Sequence, residues 1–90
     1  MEIEYDPAKR DVTLENRGLD MARAGEVFVS AHLTFPDIRF EYDEARFVTV
    51  GLLDARMVVL AWTSRGTVTR IISMRKANER EQQKYRLRLD

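Results

Sequence analysis

The sequence predicts one α+β domain over residues 1–90, with two N-terminal helices and a C-terminal helix packed on a small antiparallel β-sheet. Three observations lead there. Apolar residues between Pro7 and Ala31 recur at the helical spacing of three and four, interrupted at Gly18. From Leu33 to Met74 the pattern changes to short alternating or apolar runs separated by turn residues. After Lys76 a charged stretch opens on Asn78 and Glu81, the spacing of a capping box. Helices and strands thus come in blocks rather than in strict alternation, which favours helices laid against one sheet over a parallel α/β fold.

Ile3 and Tyr5 alternate with Glu2 and Glu4 and predict a short edge strand. Asp6 caps the first helix, and Pro7 stands at the first helical position, where no backbone N–H is needed. Ala8, Val12 and Leu14 give that helix a thin apolar side, and Gly18 is suited to a left-handed C-terminal stop. Asp20 caps a second helix carrying Met21, Ala24, Val27, Phe28 and Ala31, so the two should form a tight helical hairpin. Leu33-Thr34-Phe35 and Ile38-Arg39-Phe40, split by Pro36-Asp37, read as short edge segments. Arg46 to Leu52 is a clearer strand, in which Gly51 permits a bulge or a close backbone approach. Asp54-Ala55 turns into Met57 to Trp62, apolar on both faces and therefore central. Ser64-Arg65-Gly66 forms the next turn, Thr67 to Met74 the last strand, and the final helix runs through Tyr85 to Leu89.

Composition narrows the chemistry. The chain has no Cys, which removes disulfides, thiolate metal sites and a Cys nucleophile together. The single His32 has no partner at metal-ligand spacing and no nucleophile motif near it. The four Gly residues are scattered, and none precedes a Lys-Ser or Lys-Thr pair, so there is no phosphate loop. Asp37, Glu41, Asp43 and Glu44 could offer a metal only carboxylates and are expected in a solvated loop; no metal or other cofactor is expected. The acidic start is not a signal peptide, and no apolar run is long enough to span a membrane, so a cytoplasmic protein is expected.

The net charge of zero is an average. Residues 1–64 sum to −5 and residues 65–90 to +5, the latter from Arg65, Arg70, Arg75, Lys76, Arg80, Lys84, Arg86 and Arg88 against three acids. That asymmetry suggests an anionic partner at the C-terminal end. Regular alternation places Ile71, Ser73 and Arg75 on one face of the last strand and Val68, Arg70, Ile72 and Met74 on the other. Arg70 is then left among apolar neighbours, where it must snorkel, pair with a carboxylate or line a cleft. Lys76, Arg80 and Lys84 recur every four residues, so Arg75, Lys76 and Arg80 can converge at the strand–helix junction. Guanidinium groups with a hydroxyl suit RNA cleavage by the RNA's own 2′-OH: fixed cations stabilise charge building on phosphate, and no protein nucleophile is needed. Tyr85 or Glu81 is a candidate proton carrier; the alternative for Tyr85 is a ring packed on the sheet, and for Glu81 a helix cap.

Three segments resemble the BrnT family of bacterial type II toxins, small ribonucleases with a RelE-like fold. They are Glu4-Tyr5-Asp6-Pro7-Ala8-Lys9, with Gly18-Leu19 and the Ala24…Val27-Phe28 helix; Glu44-Ala45-Arg46-Phe47-Val48-Thr49-Val50-Gly51; and Thr63-Ser64-Arg65-Gly66 with Arg70-Ile71-Ile72-Ser73-Met74-Arg75-Lys76-Ala77, Glu81 and Tyr85. The resemblance implies a toxin that cuts mRNA and halts translation until a BrnA-like ribbon-helix-helix antitoxin covers it. The two would form a heterocomplex, often two of each, that meets DNA only through the antitoxin. Carried over by position, the catalytic candidates are Arg65, Arg70, Ser73, Arg75, Lys76 and Tyr85, and the RNA-binding candidates are Lys9, Arg17, Arg80 and Lys84. One departure stands out. Where the family's first helix carries Asn, Lys and His, this chain has Thr13, Asn16 and Arg17. Arg17 keeps the charge but cannot release a proton near neutrality, so an attenuated relative that still docks an antitoxin is the competing expectation. A third is a non-specific RNA-binding module, weakened by the scarcity of aromatics in residues 65–90.

Overall fold

The computed structural model describes residues 1–39, 41 and 43–89. In chain order the elements are β1 (Glu2–Tyr5), α1 (Pro7–Arg17), a 3-10 turn (Met21–Arg23) running into α2 (Ala24–Val29), β2 (His32–Pro36), β3 (Arg46–Leu53), β4 (Arg56–Arg65), β5 (Val68–Lys76) and α3 (Glu79–Leu89). The sheet order is β1-β5-β4-β3-β2. The chain is α+β as expected, but the sheet is mixed. β2 to β5 are antiparallel neighbours, whereas β1 pairs in parallel with β5, Glu4 lying opposite Arg70 and Tyr5 opposite Ile71. Strand direction is not encoded in alternation; it is set here by the helical excursion between β1 and β2.

β4 is the central strand and its apolar residues divide between two layers. Val58 and Leu60 pack with Ile71, Met74, Leu53, Leu19, Met21, Ala24 and Val27 under the 3-10 turn and α2. Met57 and Val59 pack with Val50, Ala77 and Leu89 under α3. Gly51 shows why the first layer is tight: a Cβ there would sit 2.6 Å from Val27 Cγ1 and 3.2 Å from His32 Cβ. The residue serves close approach, not a bulge, since β3 pairs with β4 in unbroken register.

The N-terminal helices depart from the expected hairpin. The Asp6 and Asp20 caps form, each side chain accepting from the backbone N–H two residues on at 2.9 Å. Gly18 closes α1 at φ 68°, its N–H donating to the Leu14 carbonyl. The second segment, however, begins as a single 3-10 turn and leaves only six α-helical residues, with Ala31 outside. α1 buries no residue, and its supposed apolar side is solvent-facing, Val12 being 56% exposed. Polar contacts hold it instead. Arg10 grips Asp20 with two hydrogen bonds of 2.9 and 2.8 Å, which keep the Asp20 carboxyl down at about 2.

Three smaller corrections follow from the register. β4 runs on through Arg65, so the turn into β5 is centred on Gly66 at φ 62°. Ile38 and Arg39 are not in a strand, and Phe40 lies outside the described residues. Asp37 is buried rather than solvated, its carboxylate bonded to Arg39 at 2.9 and 3.0 Å.

Candidate functional site

β5 does not alternate regularly. Met74 lies opposite Leu60 and Ser73 opposite Ala61, but Ile71 lies opposite Trp62, so Ile72 is an extra residue, a β-bulge. The faces predicted from alternation are therefore wrong on one side of the bulge. Ile71 and Met74, three apart, both enter the layer beneath α2. Arg70, Ser73 and Arg75 come together on the opposite face, the one α3 partly covers. Residues paired across strands share a face, so Glu4 beside Arg70, Thr63 and Arg46 across from it, and Arg65 at the end of β4 belong to the same surface. Small side chains at Ala61, Thr63 and Ser73 form its floor between the arginines. The Thr63 hydroxyl donates to the Ala45 carbonyl at 2.6 Å and fixes the loop before β3 at its rim.

Each arginine on this surface nominated from sequence is held by a carboxylate. Arg70 donates to Glu4, and Arg65 stands 3.5 Å from Glu44. Arg75 makes a two-pronged contact with Glu81 at 2.7 and 2.8 Å. Glu81 also closes the expected capping box: it accepts from Asn78 N at 2.9 Å while Asn78 Oδ1 accepts from Glu81 N at 2.8 Å. With Arg75 as the larger cause and the Asn78 amide adding to it, the Glu81 carboxyl is held at about 2. It stays ionised at neutral pH and serves as an anchor, not as a proton carrier.

The remaining candidates are placed differently. Lys76 pairs with Val58, which turns it to the face opposite Arg75, and it lies on β5 rather than α3. Its four-residue spacing from Arg80 is therefore not helical. Arg80 and Lys84 are exposed on α3 with no ion-pair partner among the described residues. Tyr85 packs its ring 5.8 Å from that of Phe35 in the layer under α3, with Lys84 Nζ 5.3 Å from the ring centroid. The reading of Tyr85 as a packed helix residue thus gains support. Lys9 and Arg17 reach the outer edge of β5 beyond β1, donating to the Ile72 carbonyl at 3.3 Å and the Met74 carbonyl at 2.8 Å. Together with Ala8, Val12, Thr13, Ile72 and Ser73 they line a cleft of about 360 Å³ between α1 and that edge. His32 is exposed on β2, three strands from β5 and on the other face, beside Phe28.

Sequence reasoning missed Glu4 as a site residue, and it missed Arg46. The signal for Glu4 was its match to the family's opening motif; the parallel pairing that carries it to Arg70, 66 residues away, has no local signature. No helix among the described residues is long and apolar enough to cross a membrane. A comparison with curated proteins finds no match. The sequence profile of a family described as the ribonuclease toxin, BrnT, of type II toxin-antitoxin systems matches residues 5–81.

Proposed function

The chain belongs to the BrnT family of type II toxin–antitoxin ribonuclease toxins, and on that premise we propose that the arginine-lined half of its sheet cleaves mRNA without a metal ion. The observation that carries this reading is the Ile72 bulge, which collects Arg70, Ser73 and Arg75 on one surface beside Arg65. Fixed guanidinium groups are the cations a phosphate needs as its charge rises towards the transition state, and they cost no reorganisation when the reaction occurs. Ser73, exposed between Arg70 and Arg75, orients the phosphate by donating its hydroxyl hydrogen. The carboxylates now on the arginines hold them in place until the phosphate arrives. In this reading the fold is RelE-like, and Lys9, Arg17, Arg80 and Lys84 lie along the path of the RNA. Cleavage halts translation in the cytoplasm, and a BrnA-like ribbon-helix-helix antitoxin closes the surface in a two-to-two complex that represses its own operon.

Expression in bacteria tests this reading. The parent chain should arrest growth, and an Arg70→Ala/Arg75→Ala variant at equal soluble level should not. Equal growth of the two would remove the enzymatic reading. A second reading, an attenuated relative that chiefly docks the antitoxin, is favoured by one observation. Arg17, at the family's His position, is committed to the Met74 carbonyl rather than to the open face. On that reading Arg17→His raises RNA cleavage at least tenfold, and an unchanged rate excludes it.

A further inference from the structure

We propose that Glu4 is the proton acceptor for the ribose 2′-OH, a catalytic role that rests on the ribonuclease reading above. Cleavage by the RNA's own hydroxyl needs a base within about 3 Å of that proton. Among the described residues, the groups able to act are few, and geometry separates them. His32 stands on the other face and three strand spacings from β5, roughly 14 Å at 4.8 Å per strand. Tyr85 is packed against Phe35 on the β2 side of the sheet. Glu81 has donors on both oxygens, two from Arg75 and one from the Asn78 amide, and is held far below neutrality. Glu44 meets Arg65 at the far end of β4, beyond the row that holds Arg70.

Glu4 differs on each count. The parallel register places it directly beside Arg70 and on the same face, at the open margin of the sheet. Among the described residues only its Oε1 takes a hydrogen bond, from Arg70 Nη1, which leaves Oε2 to face a ligand. Its side chain is 42% exposed, enough to be reached by an RNA strand and near enough to Arg70 to be held still. One guanidinium thus lies between the base and the phosphate it would bind, which puts the 2′-oxygen and the phosphorus within reach of one another. Among the described residues, the strand register sets Arg70 from β5 and Glu2 on its own strand on the face of Glu4. The 3-10 turn and α2 pack on the opposite face of β1, and their Arg23 and Glu26 are bonded to each other.

The step balances without a cofactor. The Glu4 carboxylate takes the 2′-OH proton as O2′ bonds to phosphorus. The bond from phosphorus to O5′ breaks, and O5′ takes a proton from solvent water. The products are a 2′,3′-cyclic phosphate and a 5′-hydroxyl end. The hydroxide left by the water then takes the proton from Glu4 and restores the carboxylate.

The test is steady-state cleavage of single-stranded oligonucleotides, each carrying one ribonucleotide in a deoxy chain, by the parent, Glu4→Gln, Glu4→Asp and Glu26→Gln. Glu4→Gln should lower kcat roughly 100-fold or more, the usual worth of general base catalysis, with KM unchanged or lower because a negative charge beside the phosphate is gone. Glu4→Asp, which keeps the charge but withdraws the oxygen, should lose less kcat than Glu4→Gln. Glu26→Gln, which removes a carboxylate from an arginine on the opposite face, should keep its kcat. A Glu4→Gln protein within threefold of the parent kcat, or one impaired only in KM, overturns the assignment and leaves the ribonuclease reading standing. A parent that cleaves none of the oligonucleotides overturns both. Should Glu4→Gln fail to fold, Glu4→Asp decides alone: a kcat like the parent's overturns the proposal.

Discussion

Several side chains have duties the structure makes measurable one at a time. Gly51 has no room for a methyl group, with Val27 Cγ1 at 2.6 Å and His32 Cβ at 3.2 Å from where it would lie. Gly51→Ala should destabilise the fold by about 1–3 kcal/mol, read as a lower midpoint in urea at constant slope. Ala55 points the other way. It adopts φ 62° in the β3–β4 turn, a conformation that costs a residue with a Cβ about 1 kcal/mol, so Ala55→Gly should raise the melting temperature by a few degrees. Glu81 and Asp20, both held at about 2 by arginine contacts, set the acid limit. Carboxyls depressed in the folded state stabilise it fully above their ordinary values near 4 and lose that contribution as pH falls towards 2. Stability should therefore decline between about pH 5 and pH 2, and Glu81→Gln should flatten the decline. The capping box and the Asp caps were legible in sequence because they are local. The partners of Arg70 and Arg65 were not, because nothing in a linear reading pairs residue 4 with residue 70 or 44 with 65.

At the level of the elements, β5 decides where the chemistry can be. Its position and its apolar–polar composition were readable, and so was the awkwardness of Arg70 among Val68, Ile72 and Met74. The resolution of that awkwardness was not, since one extra residue inverts every side chain beyond it and alternation is blind to it. Deleting Ile72 should restore a regular strand. Because Ile72 is the extra residue, its loss leaves Ile71 and Met74 facing the α2 layer and Arg70, Ser73 and Arg75 facing away from it, so a cooperative thermal transition should be retained. α1 was misread for a related reason. Val12 and Leu14 follow a weak periodicity, yet the helix is fastened to the unpaired stretch of β5 by Lys9 and Arg17 and to the next turn by Arg10. Arg17→Met should cost about 1 kcal/mol of stability through the lost carbonyl contact.

Over the whole molecule, the charge division seen in the sequence resolves into two surfaces. Arg65, Arg70 and Arg75 are matched by their own carboxylates on the open half of the sheet. Arg80, Lys84, Arg86 and Arg88, by contrast, have no ion-pair partner among the described residues of α3. The first group suits a reacting phosphate and the second suits attraction of the strand. Arg80→Gln/Lys84→Gln should weaken RNA binding uniformly across sequences and reduce the log–log salt slope by about 1.4, at 0.7 per single-strand phosphate contact. The chain thus carries a positively charged helix beside a neutralised arginine surface, an arrangement in which the net charge of zero conceals both.

The central claim is that the surface gathered by the Ile72 bulge cuts RNA with its own arginines. The most direct measurement is the product analysis of mRNA incubated in EDTA with purified parent chain and with Arg70→Ala/Arg75→Ala, both shown to melt cooperatively. The parent is predicted to leave fragments ending in 2′,3′-cyclic phosphate, and the variant is predicted to leave the RNA intact. Equal cleavage by a folded variant, or cleavage by the parent that EDTA abolishes, would contradict the account.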